Sequence, residues 1–152
     1  MKTNIILKLS SVLLLALGSI AVLSSFGKES SDSAGEPEKR YTIDNCVNQF
    51  DREKALESDS GYRYWFADKD FVDGRSIKMS VIAPHLASHP PHEHGNDEFF
   101  FVLEGTAKFY LDGETIEVGP YTSLYCPPDV PHGISNAGDT ELKYLVLKKY
   151  EK

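Results

Sequence analysis

Cysteine is nearly absent: Cys46 and Cys126 are the only two in 152 residues. Two thiols are too few for a disulfide scaffold or for a zinc site built on cysteines. Basic residues are also short. Lys and Arg number 16 against 23 Asp and Glu, a net charge of −7. That balance argues against a nucleic-acid partner, whose electrostatic footprint is basic. No uncharged apolar run reaches the ~20 residues that a spanning helix needs. Internal repeats and Gly-rich phosphate loops are absent as well. Turn and strand formers are plentiful: eleven Gly, eight Pro, eight Tyr and eight Phe. They point to short strands and turns rather than a helical bundle. The length allows one domain of the usual ~100–200 residues.

The front of the chain has a different character. Lys2 and Lys8 form a positive start, Leu9 to Leu23 carries no charge, and Val12 to Leu17 is continuously apolar. Small residues follow, with Ser25-Phe26-Gly27 as one cleavage pattern. Residues 1–27 therefore read as a secretory signal peptide, with an uncleaved membrane anchor as the alternative. The expected location is periplasmic or secreted, with no stable membrane span after processing. Lys2 and Lys8 are the segment's only charges. Its removal leaves 14 basic against 23 acidic residues, a net charge of −9. Residues 28–40 are Ser/Glu-rich with no large apolar side chain, so they read as a flexible linker. The folded domain is expected over 41–152.

Within that body, Asn45 is a candidate cap for a short helix, with helix formers in Arg52–Leu56. Tyr62–Phe66 and Ile77–Ala83 read as strands. Glu98–Leu103, Ala107–Leu111 and Thr115–Val118 follow, the last two joined by the hairpin signal Asp112-Gly113. Thr122–Cys126, Gly133–Asn136 and Leu142–Leu147 complete the series. Strands at such spacing predict an all-β, antiparallel sandwich or barrel with a short N-terminal helical extension.

All five histidines lie between residues 85 and 132. The informative pattern is His92-Glu93-His94 followed by Glu98. Side chains at i and i+2 of an extended segment share a face. His92 and His94 can thus present two imidazoles to one point, and His132 can return from a later hairpin. Imidazoles with a carboxylate suit a divalent first-row ion. Taken alone, a histidine pair beside prolines also fits an exposed turn. Glu98 weighs against that, because an acid opening the apolar run Phe99–Leu103 is costly unless something neutralises it.

The stretch His92-x-His94-x3-Glu98-x6-Gly105 resembles the first signature of the cupin superfamily. Gly119 … Pro127-x4-His132-x3-Asn136 is similar to the second, and the resemblance covers about residues 62–150. One departure is Asp129, where cupins commonly have glycine. The resemblance implies a jelly-roll barrel (a double-stranded β-helix) holding an Fe, Mn, Ni, Cu or Zn ion on His92, His94, Glu98 and His132. It implies a quercetin-dioxygenase-like enzyme acting on a small oxygenated organic molecule, with Glu98 also able to take a proton. A sugar or uronate isomerase-like cupin and a non-catalytic binding or sensor cupin are the alternatives. Phe100 and Val102 share the parity of Glu98 and are expected to line the interior. Tyr110 and Asn136 are candidates to offer polar groups to the substrate. The apolar outer face of Phe99–Leu103 suggests a covered sheet, as in a homodimer. The two thiols either pair, stapling the extension to the barrel, or stay unpaired.

Overall fold

The structure, a computed structural model, describes residues 41–71 and 74–150. They belong to a unit spanning Lys39–Lys152. The expected signal peptide (1–27) and linker (28–40) lie outside the described residues. Among the described residues, no helix is long and apolar enough to cross a membrane.

Among the described residues nine strands form, all paired antiparallel: β1 (Leu56–Ser58), β2 (Gly61–Ala67), β3 (Arg75–Ile82), β4 (Glu98–Glu104), β5 (Ala107–Leu111), β6 (Glu114–Val118), β7 (Ser123–Cys126), β8 (His132–Asn136) and β9 (Leu142–Lys149). A six-stranded sheet runs β1-β2-β3-β9-β4-β7, and a three-stranded sheet runs β6-β5-β8. Their inner faces share one core that includes Ile82, Phe100, Val102, Phe109, Ile134 and Leu142. This is the expected antiparallel jelly-roll barrel. The predicted strands appear within a few residues of their expected limits, and β1 is the one that sequence reading missed.

Local chemistry explains the turns. Asp112 (φ 47°) and Gly113 (φ 89°) both sit at positive φ, the requirement of a tight two-residue hairpin. Gly105 has φ 85°, and a Cβ there would stand 2.5 Å from the Glu141 carbonyl oxygen. Only glycine lets β4 turn so closely under β9. Asp129, the departure from the cupin pattern, has φ 58°. The position therefore still demands the left-handed conformation, which Asp tolerates better than most residues. Its N–H donates to the His94 carbonyl (2.9 Å).

The N-terminal extension differs from expectation. The helix is one turn, Ile43–Cys46, and its N-cap is Thr42; Asn45 is the third helical residue of a reciprocal capping box. Arg52–Lys54 is a single 3-10 turn capped by Asp51. Ahead of Ala55 the extension supplies Asn48, whose side-chain oxygen accepts from the Tyr64 hydroxyl (2.7 Å). Tyr64, Met79 and Val81 form a second apolar cluster with Ala55 and Leu103. β3 is consequently covered on both faces from Met79 to Ile82. Cys46 is exposed, Cys126 is buried, and both are unpaired.

The registers set the interior in rows. Ser76, Lys148, Glu98 and Cys126 lie side by side across β3, β9, β4 and β7. The next row is Lys78, Val146 and Phe100, and the third is Ser80, Tyr144 and Val102. In the smaller sheet Leu111 pairs with His132, Phe109 with Ile134, and Ala107 with Asn136.

Candidate metal centre

The sequence pattern suggested a strand carrying both early histidines. The structure reaches the same result differently. Residues 91–97 are irregular, and His92 is tied by one antiparallel bridge to His132. Each donates its backbone N–H to the other's carbonyl, at 3.0 and 2.9 Å. Paired residues in such a bridge point to the same side. His94 is then fixed through its carbonyl, which accepts from Asp129. Glu98 opens β4 facing inward, and His132 opens β8. Behind β8, Gly133 leaves room for Pro91, whose Cα would lie 3.2 Å from any Cβ there. The loop can therefore press against the strand.

Candidate ligand atoms of His92, His94, Glu98 and His132 all fall within 4.8 Å of one another. Glu98 and His132 are buried; His92 and His94 are half-buried. The His132 Nδ1 lies 2.7 Å from the Val130 carbonyl oxygen. A carbonyl can only accept, so Nδ1 carries a proton, and in the neutral ring Nε2 is the nitrogen left to bind a metal. It lies 3.1 Å from Glu98 Oε1. Lys148 donates its ammonium to His94 Nε2 (2.7 Å), which leaves His94 with the same tautomer. His94 Nε2 stands 3.7 Å from Glu98 Oε1. Burial first, and then the neighbouring His89, His132 and His94, hold His92 below the ordinary histidine range. An uncharged imidazole is the form that binds a metal.

These residues fit a divalent cation. Ring nitrogens of His132 and His94 stand 3.1 and 3.7 Å from one oxygen of the buried Glu98 carboxylate. The Nδ1 atom of His92 is buried without a hydrogen-bond partner; that of His94, which carries the ring proton when Nε2 accepts from Lys148, is buried without an acceptor. Ligands at about 2.1 Å from one ion lie at most about 4.2 Å apart, and the ligand atoms here, all within 4.8 Å of one another, stand near that spacing. Three imidazoles with one carboxylate suit Fe, Mn, Ni, Cu or Zn.

Beside the cluster opens a cavity of about 110 Å³. Its walls include Trp65, Ser76, Lys78, His89, Phe100, Tyr144 and Lys148. The structure thus brings Phe100 to the site together with the four ligand candidates. It does not bring the other three pocket candidates there. Val102 is sealed in the core one row deeper. Tyr110 lines a different depression, outside the smaller sheet, with Ala87 and Lys108. The Asn136 amide is engaged by the Ile82 and Thr140 carbonyls and by the Gly138 N–H. Lys78, Lys148 and Tyr144 were missed by sequence reading. The signal was the parity Leu142, Tyr144, Val146, Lys148, which puts a lysine on the buried side of β9.

The Cupin domain family matches residues 78–148, the stretch that holds every ligand candidate and every histidine. The chain is 40% identical over 75 residues to the uncharacterized protein MJ1618 of Methanocaldococcus jannaschii, covering 47% of this chain and 60% of that one. It is 27% identical over 101 residues to the H2HPP isomerase of Bacillus subtilis, covering 66% of this chain and 41% of the isomerase. It therefore spans less than two thirds of either relative. A Cupin 2 conserved barrel domain protein from Salinispora arenicola superposes with a TM-score of 0.58 at 19% identity, over 68% of this chain and 87% of that one. Domain match, barrel and ligand cluster agree: residues 78–148 match the Cupin domain family, and the barrel around them has the cupin fold.

Proposed function

We propose that this chain is an exported, metal-dependent enzyme, a dioxygenase of a small oxygenated organic molecule. The observation that carries the metal-dependent part is the convergence of three imidazoles and Glu98 on one point beside a cavity. A bound divalent ion supplies Lewis acidity and, where redox-active, chemistry with O2. The chain supplies the rest. The Val130 carbonyl fixes the His132 tautomer and ring orientation. Glu98 keeps its second oxygen, Oε2, toward Lys148 at 3.6 Å, so this carboxylate can hold or pass a proton at the cavity wall. Phe100, Tyr144 and Val146 stand among the mostly polar groups that line the cavity. Export rests on the signal-like character of residues 1–27.

A second reading, isomerisation, is favoured by the similarity to the H2HPP isomerase. It needs only a polarised carbonyl and a proton acceptor, and zinc suffices for it. Metal identification on protein from its native compartment, with oxygen uptake on a flavonol and diketone panel, separates the two. A redox-active metal and substrate-dependent oxygen consumption are expected. Zinc alone with no uptake overturns the dioxygenase. Saturable binding with no turnover of any kind overturns the enzyme in favour of a sensor.

A further inference from the structure

The inward face of a small barrel is an expensive place for an ammonium group. Two occur here in adjacent rows, Lys148 beside Glu98 and Lys78 beside Phe100. Lys148 has partners: His94 Nε2 at 2.7 Å and Glu98 Oε2 at 3.6 Å. Lys78 has no ion pair or hydrogen bond among the described residues. Its Nζ stands over the Trp65 ring, 5.3 Å from the centroid. The charges that act on it are Arg63 and Lys148, both positive, and Glu98. Glu98 is already shared with Lys148 and two histidines. Burial pushes the Lys78 ammonium below its ordinary range. A position facing Phe100 and Val146 calls for an aliphatic residue, yet here a half-buried lysine stands at the cavity wall.

A cation that the fold leaves without a counter-ion, at the wall of a cavity next to a metal site, is accounted for by a ligand that brings the anion. We propose that Lys78 and Lys148 together bind an acidic group of the substrate, which makes the substrate a small organic carboxylate. The carboxylate is held from β3 and β9, and Trp65 backs Lys78. A ligand ion on the cluster and a proton on Lys148 cannot both use the His94 Nε2 lone pair. An ion bound at His94 Nε2 would take the lone pair that Lys148 uses and would leave the ammonium free for the anion. This assignment rests on the metal-dependent reading above and narrows its substrate class.

The test uses the full chain carrying its native metal, titrated by calorimetry with sodium malonate and with malonamide, the neutral counterpart. Metal content and Tm are measured on every sample. Saturable malonate binding is expected, with none for malonamide. Lys78→Met is expected to weaken malonate about tenfold or more, the scale of one hydrogen bond to a charged group. It should leave metal content unchanged and not lower the Tm of the ligand-free protein, because Lys78 makes no ion pair or hydrogen bond among the described residues that methionine would lose. Lys78→Arg keeps the charge and should retain binding. Equal malonate affinity in wild type and Lys78→Met overturns the proposal, as does equal binding of malonamide. Metal content separates the two readings. A wild-type chain that retains no divalent ion sinks the metal-dependent function, whereas a metal-loaded chain indifferent to malonate sinks only the carboxylate.

Discussion

The two ends of the barrel interior treat buried polar groups in opposite ways. At the closed end, Asn136 is buried and its amide is fully employed: Nδ2 donates to the Ile82 and Thr140 carbonyls, and Oδ1 accepts from the Gly138 N–H. At the open end, equally polar groups are left short of partners. His92 and His94 keep orphan ring nitrogens, and Lys78 has no ion pair or hydrogen bond among the described residues. Both ends belong to the same few strands, since Asn136 and His132 are the two ends of β8. Where the chain satisfies a buried group internally, that group holds the fold. Where it does not, the missing partner comes from outside, and the unsatisfied end marks the site.

The sharpest way to break this contrast is to substitute its two poles. His132→Ala removes a ligand and strands the Glu98 carboxylate, so metal content should fall to background by elemental analysis. Retention of wild-type stoichiometry would falsify the assignment of the cluster. Stripping the metal with a chelator tests the same end more gently. A ligand held at a hundredfold excess over its Kd stabilises the folded state by about 2.7 kcal/mol, so Tm should drop on chelation and recover when the ion is returned. At the other pole, Asn136→Ala leaves two carbonyls and an N–H unpaired. It should cost about 2 kcal/mol in urea denaturation with metal content intact. Loss of metal in Asn136→Ala would erase the distinction between the ends.

How much of this the sequence showed follows the range of the interactions. The strands and the Asp112-Gly113 hairpin were legible because alternation and turn chemistry are local. The four ligand candidates were legible because three of them sit within seven residues, His92 to Glu98, and His132 followed a recognisable motif. Asn136 matched that same motif, yet its amide serves the closed end. Which role it plays depends on Ile82, 54 residues away. Val102 illustrates the same limit, for parity puts it inside but not how deep. Lys78 and Lys148 stood in ordinary-looking strands. They become conspicuous only when the β3–β9–β4 register aligns them with Phe100 and Glu98. The helix cap was misplaced by three residues, since Thr42 and Asn45 are reciprocal members of one capping box and either offers a capping side chain.

The cysteines extend the comparison to reactivity and give its mildest test. Cys126 shares the row of Glu98 and Lys148 and is 0% exposed, whereas Cys46 is exposed in the N-terminal extension. Burial, and after it the Glu98 carboxylate, push the Cys126 thiol up to about 12, against a smaller opposing pull from Lys148. Only a thiolate attacks an alkylating agent. A thiol raised that far stays protonated at every mildly alkaline pH used for labelling, and its reactivity rises only as the pH climbs toward that value. Native protein should therefore take up one label per chain, at Cys46, by intact-mass measurement, and two in denaturant under reducing conditions. Two labels on the native, metal-loaded chain would show that the row beside Glu98 opens to solvent. The buried carboxylate would then be hydrated rather than waiting for a cation, and the contrast between the two ends of the interior would lose its physical basis.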